Sequence, residues 1–300
     1  MRAFFGTAFL LLIALAGPGQ AAPAQGTFDG RAALGYAAEQ VAFGPRVPGT
    51  EAARRAGDWI VERMRERADT VIVQSWSHRT ASGESLPMRN IFARFRPDVA
   101  ERVLYVVHWD TRPIADGDAD WNRRDRPGPG ANDGASGVGL LVALADALKR
   151  TPPARGVDLL FVDGEDYGSF NTETDIVVGA TYFARNLPVP NYRPLFGVVW
   201  DMIGDSDLRI LREQHSMRVA PEIVDHVWST AARLGHGAHF VQSTGYQVMD
   251  DHVPLQRIGL RVIDVIDLDY AHHHSHADTI DKVSAESLRI VGEVALALVR

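Results

Sequence analysis

Leu159-Leu160-Phe161-Val162-Asp163-Gly164-Glu165-Asp166-Tyr167 decides the fold of this 300-residue chain. The apolar run from Val157 to Val162 reads as a buried strand. Asp163-Gly164 ends it with a turn. Glu165 and Asp166 follow at once. In an open α/β sheet, ligands bind in the crevice outside the carboxyl ends of the strands. The turn therefore sets two carboxylates where chemistry is usually done. Neighbouring residues point different ways, so one acid can hold a metal while the other moves protons. Two acids at a strand end fit a solvated turn equally well, and the rest of the chain has to choose.

Outward from this stretch, strands and helices alternate. Upstream, Val103–Val107 is a strand that runs into His108-Trp109-Asp110, and Ser136–Lys149 is an apolar helix. Between them, residues 111–132 form a loop dense in Asp, Arg, Gly and Pro, a length that is usually functional or mobile. Downstream, Ser169–Val177 is an irregular excursion and Tyr182–Leu187 ends a short helix. Leu195–Ile203 is a strand with Asp201 near its end. Pro221–Leu234 is helical, Leu260–Ile266 is a strand, and Ser284 caps a closing helix to Val299. Nearer the N-terminus, helices cover Arg31–Phe43 and Glu51–Arg67, the second capped by Thr50. Strands at Thr70–Trp76 and Met88–Phe95 flank a polar turn at Ala81-Ser82-Gly83. This order predicts one α/β domain over residues 25–300, a three-layer α/β/α sandwich with a mixed, mostly parallel central sheet.

Composition narrows the chemistry. With 46% hydrophobic and 23% charged residues the chain is ordinary globular protein. A net charge of −7 speaks against a partner with a phosphate backbone, so no nucleic acid is expected. There is no cysteine, so a metal would be held by His, Asp and Glu alone. Arg2, the apolar run Ala3–Ala16 and Ala22-Pro23-Ala24 read as a cleavable signal peptide over residues 1–24. The apolar run is short for a bilayer span, although a retained anchor is the alternative. The mature chain is then periplasmic or secreted, with no stable membrane insertion. Nothing in the pattern bears on oligomeric state.

His108 with Asp110, Asp133, Glu165 with Asp166, Asp201, and His274 all fall at strand ends or in adjoining loops. Asp250-Asp251 lies close to the last strand. Zinc takes imidazole nitrogen and carboxylate oxygen, and a catalytic zinc keeps one position open. Asp110, Asp278 and Asp281 are available to orient ligands from behind. Asp116, Asp118 and Asp120 look like a calcium loop at a glance, but without its Gly-and-Glu frame they read as solvated. His252 reads as a hydrogen-bonded structural histidine. Trp109 and Trp121 are equally packing residues or pocket walls.

The ordered set of motifs resembles the zinc aminopeptidase superfamily and its offshoot, the zinc-dependent glutaminyl-peptide cyclotransferases. The matching stretches are Gly44-Pro45-Arg46-Val47-Pro48-Gly49, His108-Trp109-Asp110, Gly130-Ala131-Asn132-Asp133-Gly134-Ala135-Ser136-Gly137, Gly164-Glu165-Asp166, and His274 through Lys282. The resemblance implies a zinc site of Asp133, Asp166 and His274. In the aminopeptidases His108 and Asp201 would complete a second zinc site with Asp133. In the cyclases one zinc suffices, and Glu165, Asp201 and Asp251 would form an acidic proton-handling network. Glu165 is the acid-base residue in both readings. Met249-Asp250-Asp251-His252-Val253-Pro254-Leu255 resembles the cyclase pattern more than the aminopeptidase one. The implied substrates are peptide or protein N-termini, with cyclisation of N-terminal Gln as the main reading and aminopeptidase hydrolysis as the alternative. Two positions depart from the pattern: Asp166 stands where Glu is usual, and His273 where animal cyclases often have Trp. The D-T-x-D-K tail selects His274 from the run His272-His273-His274, which otherwise could be a surface metal-binding tract.

The N-terminal reading predicts a mature chain that begins between Ala22 and Gln25. Mass analysis of the native protein checks it, and an intact Met1 refutes it.

Overall fold

The computed structural model describes residue 1 and residues 28–300, so the expected signal peptide, apart from Met1, lies outside the described residues. Along the chain the strands are β1 (Thr70–Arg79), β2 (Ser85–Phe95), β3 (Arg102–His108), β4 (Gly156–Val162), β5 (Phe196–Asp201), β6 (Ile210–Arg212), β7 (Phe240–Thr244) and β8 (Val262–Ile266). The helices are α1 (Gly30–Val41), α2 (Glu51–Arg65), α3 (Ala135–Arg150), α4 (Val178–Arg185), α5 (Gln214–Val219), α6 (Pro221–Arg233), α7 (His252–Arg257) and α8 (Ala285–Leu298). Six strands make the central sheet in the order β1-β2-β4-β3-β5-β8, and β6 pairs with β7 separately. β1, β2 and β4 are joined antiparallel, whereas β4, β3, β5 and β8 run parallel. The sheet is mixed and mostly parallel, as read from the sequence.

The central strands are apolar on both faces because helices cover both. Val103, Tyr105 and Val107 of β3 pack into one core with α1, α2, α3, α6 and α8. The alternate residues Leu104 and Val106 pack into a second core with α4 and α7. β4 divides the same way, Leu159 and Phe161 to one side, Leu160 and Val162 to the other. This two-sided burial is why parallel strands read as near-continuous apolar runs. Thr50 and Ser284 cap their helices as expected, accepting from the Ala53 amide and from the Glu286 and Ser287 amides.

One polar group interrupts the second core. Asp158 on β4 has no exposed surface and accepts from Arg102 Nε at 2.7 Å, Arg94 Nε at 3.1 Å and the Tyr192 hydroxyl at 2.9 Å. Arg102 also donates to the carbonyls of Phe95, Arg96 and Val99. This knot secures the end of the sheet remote from the strand-end acids.

The short elements β6, α5, β7 and α7 were not expected from the sequence. At three to six residues each, they show too few periods for a hydrophobic pattern to stand out. Among the described residues no helix is long and apolar enough to cross a membrane.

Removing one partner from a buried ion pair costs about 3–5 kcal/mol because the other charge stays buried. Asp158→Ala is therefore expected to lower unfolding free energy by about that amount, with turnover per folded molecule unchanged. Denaturant unfolding with a parallel activity titration measures both, and a loss under about 1 kcal/mol would refute the role given to the knot.

Candidate active site

Because β3, β4, β5 and β8 are parallel, their carboxyl ends open on one side of the sheet. His108 ends β3, Glu165 and Asp166 follow β4, and Asp201 ends β5. Asp133 precedes α3, whose N-terminal dipole favours negative charge there. Gly134 caps α3 at φ +91°, and a Cβ on it would lie 2.8 Å from the Asp110 carbonyl and 3.1 Å from His108 Cε1. Only glycine lets the helix start this close to β3. His274 and Met202 both take left-handed backbone, at φ +52° and +46°. Such strain at non-glycine residues clusters at functional sites.

Two buried aspartates fix the loops. Asp110 accepts from the Glu165 amide at 3.1 Å and the Asp166 amide at 3.2 Å. Asp278 accepts from the Asn132 amide at 2.8 Å, the Asp133 amide at 3.1 Å and the Tyr270 hydroxyl at 2.7 Å. Both were expected behind the site; both hold loop backbone there, and Asp110 Oδ1 also faces His108 Nδ1 at 3.5 Å. The third candidate, Asp281, is exposed and pairs with Thr279 and Lys282, so it does not serve the site. Arg46 of the N-terminal turn is fully buried and donates to the carbonyls of Trp109, Pro129 and Gly130.

The predicted donors converge. Asp133 Oδ1 lies 3.1 Å from His108 Nε2, and its Oδ2 lies 3.6 Å from His274 Nε2. His108 Nε2 is also 3.2 Å from Asp201 Oδ1, and His274 Nε2 is 3.3 Å from Asp166 Oδ1. Asp166 Oδ2 is buried with no hydrogen-bond partner. An unprotonated ring nitrogen facing a carboxylate oxygen is repulsive unless a proton or a cation lies between them. Oxygen and nitrogen donors at these separations suit a cation bound at about 2.0–2.2 Å to each. The donor set thus fits zinc, and Asp133 stands between two such groups: His108 with Asp201, and Asp166 with His274.

A cleft of about 370 Å³ opens on these donors, lined by Asp133, Glu165, Asp201, Asp250, His273 and His274 with Phe170, Met202, Ile266 and Leu268 as apolar wall. Burial holds the Glu165 carboxyl well above its ordinary range, with Asp250, Asp166 and Asp251 adding and His108 opposing. Burial and the neighbouring Asp201 push Asp250 up to about 6. Asp201 is raised by burial and by Asp133, against the pull of His108. Burial opposes charge on His108 and His274 too, but the acids outweigh it. Asp201, Asp110 and Asp133 hold His108 well above the imidazole range, and Asp166, Asp116 and Asp133 carry His274 to about 10.

The two acids of the tandem near the last strand take different places. Asp250 lines the cleft, whereas Asp251 is wholly buried behind it with neither oxygen hydrogen-bonded. In the sequence the two are indistinguishable neighbours. His252 is buried as expected, but neither ring nitrogen makes a hydrogen bond; its nearest acid is Glu213 at 3.4 Å. Trp109 is core, and Trp121 is exposed under the Arg124 guanidinium. The loop acids Asp116 and Asp118 are not merely solvated. They face His274 Nδ1 at 3.3 Å and His276 Nδ1 at 2.7 Å. Arg112 and Asn132 also escaped the sequence reading. Arg112 bonds Asp166, and Asn132 ties the α3 loop to Met202 and Gly204 beyond β5.

Fold and cleft together define an α/β protein of the zinc-exopeptidase type. The chain belongs to peptidase family M28, whose model matches residues 90–299. It is similar to a glutaminyl cyclase from Porphyromonas gingivalis, at 36% identity and TM-score 0.87, over 90% of this chain and 97% of that one. It is similar also to a Bacteroides thetaiotaomicron glutaminyl cyclase, at 33% identity and TM-score 0.88, over 91% and 98% of the two chains. A Zn-dependent exopeptidase from Parabacteroides distasonis matches at 34% identity and TM-score 0.88, over 91% and 98%. The curated relatives match less broadly, and the chain covers only 41% and 24% of the length of the first two.

Asp267, just past β8, shows how burial of an acid is read out in pH. Burial, with Asp205 and Asp269 adding, pushes it up to about 7. A carboxyl raised on folding takes up a proton between its unfolded pKa of about 3.9 and that value, so stability falls as pH rises through this window. Asp267→Asn keeps an acceptor for the Arg209 amide now bonded at 2.9 Å. The stability advantage of the variant over wild type is expected to grow from pH 4 to 7 and then level off. Thermal melts across that range check it; a pH-independent difference would refute it.

Proposed function

We propose that this chain is a zinc-dependent glutaminyl-peptide cyclotransferase, converting N-terminal Gln of peptides or proteins to pyroglutamate with release of ammonia. The observation that carries the reading is the trio Glu165, Asp201 and Asp250, three buried acids lining one cleft beside the imidazole–carboxylate cluster. The similarity to the two glutaminyl cyclases supports it. Asp133, Asp166 and His274 are the ligands in this reading. Zinc held there would act as a Lewis acid on the side-chain amide carbonyl of the substrate.

The protein's own part is proton handling and exclusion of water. The substrate's α-amine attacks its side-chain amide carbon, so a C–N bond forms within the substrate. Glu165 accepts the proton released by the amine and returns it to the departing nitrogen, which leaves as ammonia when the old C–N bond breaks. Burial raises the pKa of this carboxyl, which makes it a stronger base toward the amine. Asp201 and Asp250 cannot easily both ionise while buried together, which keeps a proton in the cluster. Asp251, buried behind Asp250 and among the acids that raise Glu165, belongs to the same proton-handling network in this reading. Phe170, Met202, Ile266 and Leu268 limit water in the cleft, favouring the internal amine over hydrolysis.

A second reading has its own observation. His108, Asp133 and Asp201 group their donor atoms closely enough for another cation. With two metals, Glu165 would serve as general base for water in an aminopeptidase.

Incubation with Gln-initiated and Leu-initiated peptides, followed by mass spectrometry, separates the readings. Ammonia loss from the Gln peptide alone is the expected result, and release of an N-terminal residue would replace it with the second reading. Glu165→Gln is expected to lower kcat by about 10²–10⁴-fold with zinc content unchanged. Turnover near wild type in that variant would sink both mechanisms.

A further inference from the structure

The long loop after β3 reaches back into the ligand cluster. Arg112 is buried and its guanidinium is used on two edges. Nε and Nη2 donate to the two oxygens of Asp116, each at 2.9 Å, and Nη1 donates to Asp166 Oδ1 at 2.9 Å. Asp116 Oδ1 in turn lies 3.3 Å from His274 Nδ1. The loop backbone is seated on the same segment. The Gly117 amide donates to the His274 carbonyl at 3.0 Å, and a Cβ on Gly117 would lie 2.5 Å from the His273 carbonyl oxygen. One arginine fork therefore connects two proposed metal ligands, Asp166 directly and His274 through Asp116.

We propose that Arg112 and Asp116 are positioning residues of the metal site, setting the affinity of the protein for zinc. The inference rests on the reading of Asp166 and His274 as ligands. An imidazole has two nitrogens, and the bond made by one decides what the other can do. With Asp116 placed to accept from the Nδ1–H, the other nitrogen, His274 Nε2, carries the lone pair and faces Asp133 and Asp166. Such a carboxylate also orients the ring and raises its donor strength. Arg112 acts on the other ligand. By engaging Asp166 Oδ1 it stops the carboxylate from rotating, with Oδ1 held 3.3 Å from His274 Nε2 and Oδ2 buried without a hydrogen-bond partner. A planar fork does this with fixed geometry, which a lysine cannot reproduce. The two bonds from Arg112 to Asp116 also hold in place a carboxylate whose side chain is 43% exposed and otherwise free to swing into solvent.

The test is zinc affinity, measured by competition with a chromogenic chelator on the full-length mature protein. The variants are Asp116→Asn, Arg112→Lys, and Asp120→Asn as a control that removes one loop charge outside the network. Loss of an orienting partner typically costs about 10–100-fold in metal affinity. That loss is expected for Asp116→Asn and Arg112→Lys, with the melting temperature of the metal-free protein unchanged and the Asp120→Asn affinity at wild type. Because both residues act through one network, the double variant should lose less than the product of the two single losses. Affinities within twofold of wild type in both single variants would overturn the proposal. So would a fall in metal-free melting temperature with zinc affinity intact, the mark of a purely structural strap. His274→Ala separates this inference from the reading beneath it. If His274→Ala strips zinc while the Asp116 and Arg112 variants keep wild-type affinity, only the positioning role fails. If His274→Ala itself retains wild-type affinity, the ligand assignment falls and takes the positioning role with it.

Discussion

Two buried aspartates, each clamping a pair of successive backbone amides, hold the cleft in shape. Asp110 receives the amides of Glu165 and Asp166, and Asp278 those of Asn132 and Asp133. In each pair at least one residue is a functional acid. The clamps act on backbone, so the side chains they position remain free to face the cleft. A hydrogen bond to an ionised acceptor is worth more than a neutral one, and the low-dielectric interior strengthens it further. Asp278 also closes the molecule in sequence terms, joining the last segment of the chain to the loop before α3. His274 stands four residues from it and reaches Asp133 as a consequence.

Around these clamps the protein concentrates negative charge that the fold itself does not neutralise. Asp133, Glu165, Asp166, Asp201, Asp250, Asp251 and Asp264 are all buried in one region, and among the described residues Arg112 is the one arginine or lysine that bonds one of their side chains, with His108 bonding Asp201. Burying unpaired carboxylates is strongly unfavourable, so such a group must share protons or hold a cation. The two demands divide the site. Donors near His108 and His274 suit a cation, and the acids around Asp250 suit retained protons. The remote knot at Asp158 shows the contrasting solution, in which one buried acid is met by two arginines and a tyrosine. That end of the sheet is built for stability and the other end for chemistry.

The architecture was legible because its signals are local. Val157–Val162 reads as a strand, Gly164 as a turn and Thr50 and Ser284 as caps from a few residues each, and the alternation of such signals implies a parallel sheet. The core elements appeared where expected, with ends shifted by a few residues. β1 and β2 ran longer than read, since Ser77, His78 and Arg79 carry no apolar pattern and are held as strand by pairing with Pro87, Leu86 and Ser85. The short elements beyond β5 were missed for the same kind of reason: their form depends on contacts with β8 and α6 that no window of sequence contains.

What the sequence determined by itself was the order of the elements, the position of the acids and histidines at strand ends, and the chemical type of the donors. Those follow from hydrophobic period, turn residues and side-chain chemistry, which belong to each residue and its near neighbours. Tertiary structure alone decided that Asp250 and not Asp251 faces the cleft. Adjacent side chains diverge, and which one points inward is set by how α7 packs. It decided as well that Arg112 and Asp116, in a loop that reads as solvated, reach Asp166 and His274. Those pairs lie 54 and 158 positions apart along the chain. Contacts over such distances arise only when the sheet brings its strand ends together, and no local pattern records them.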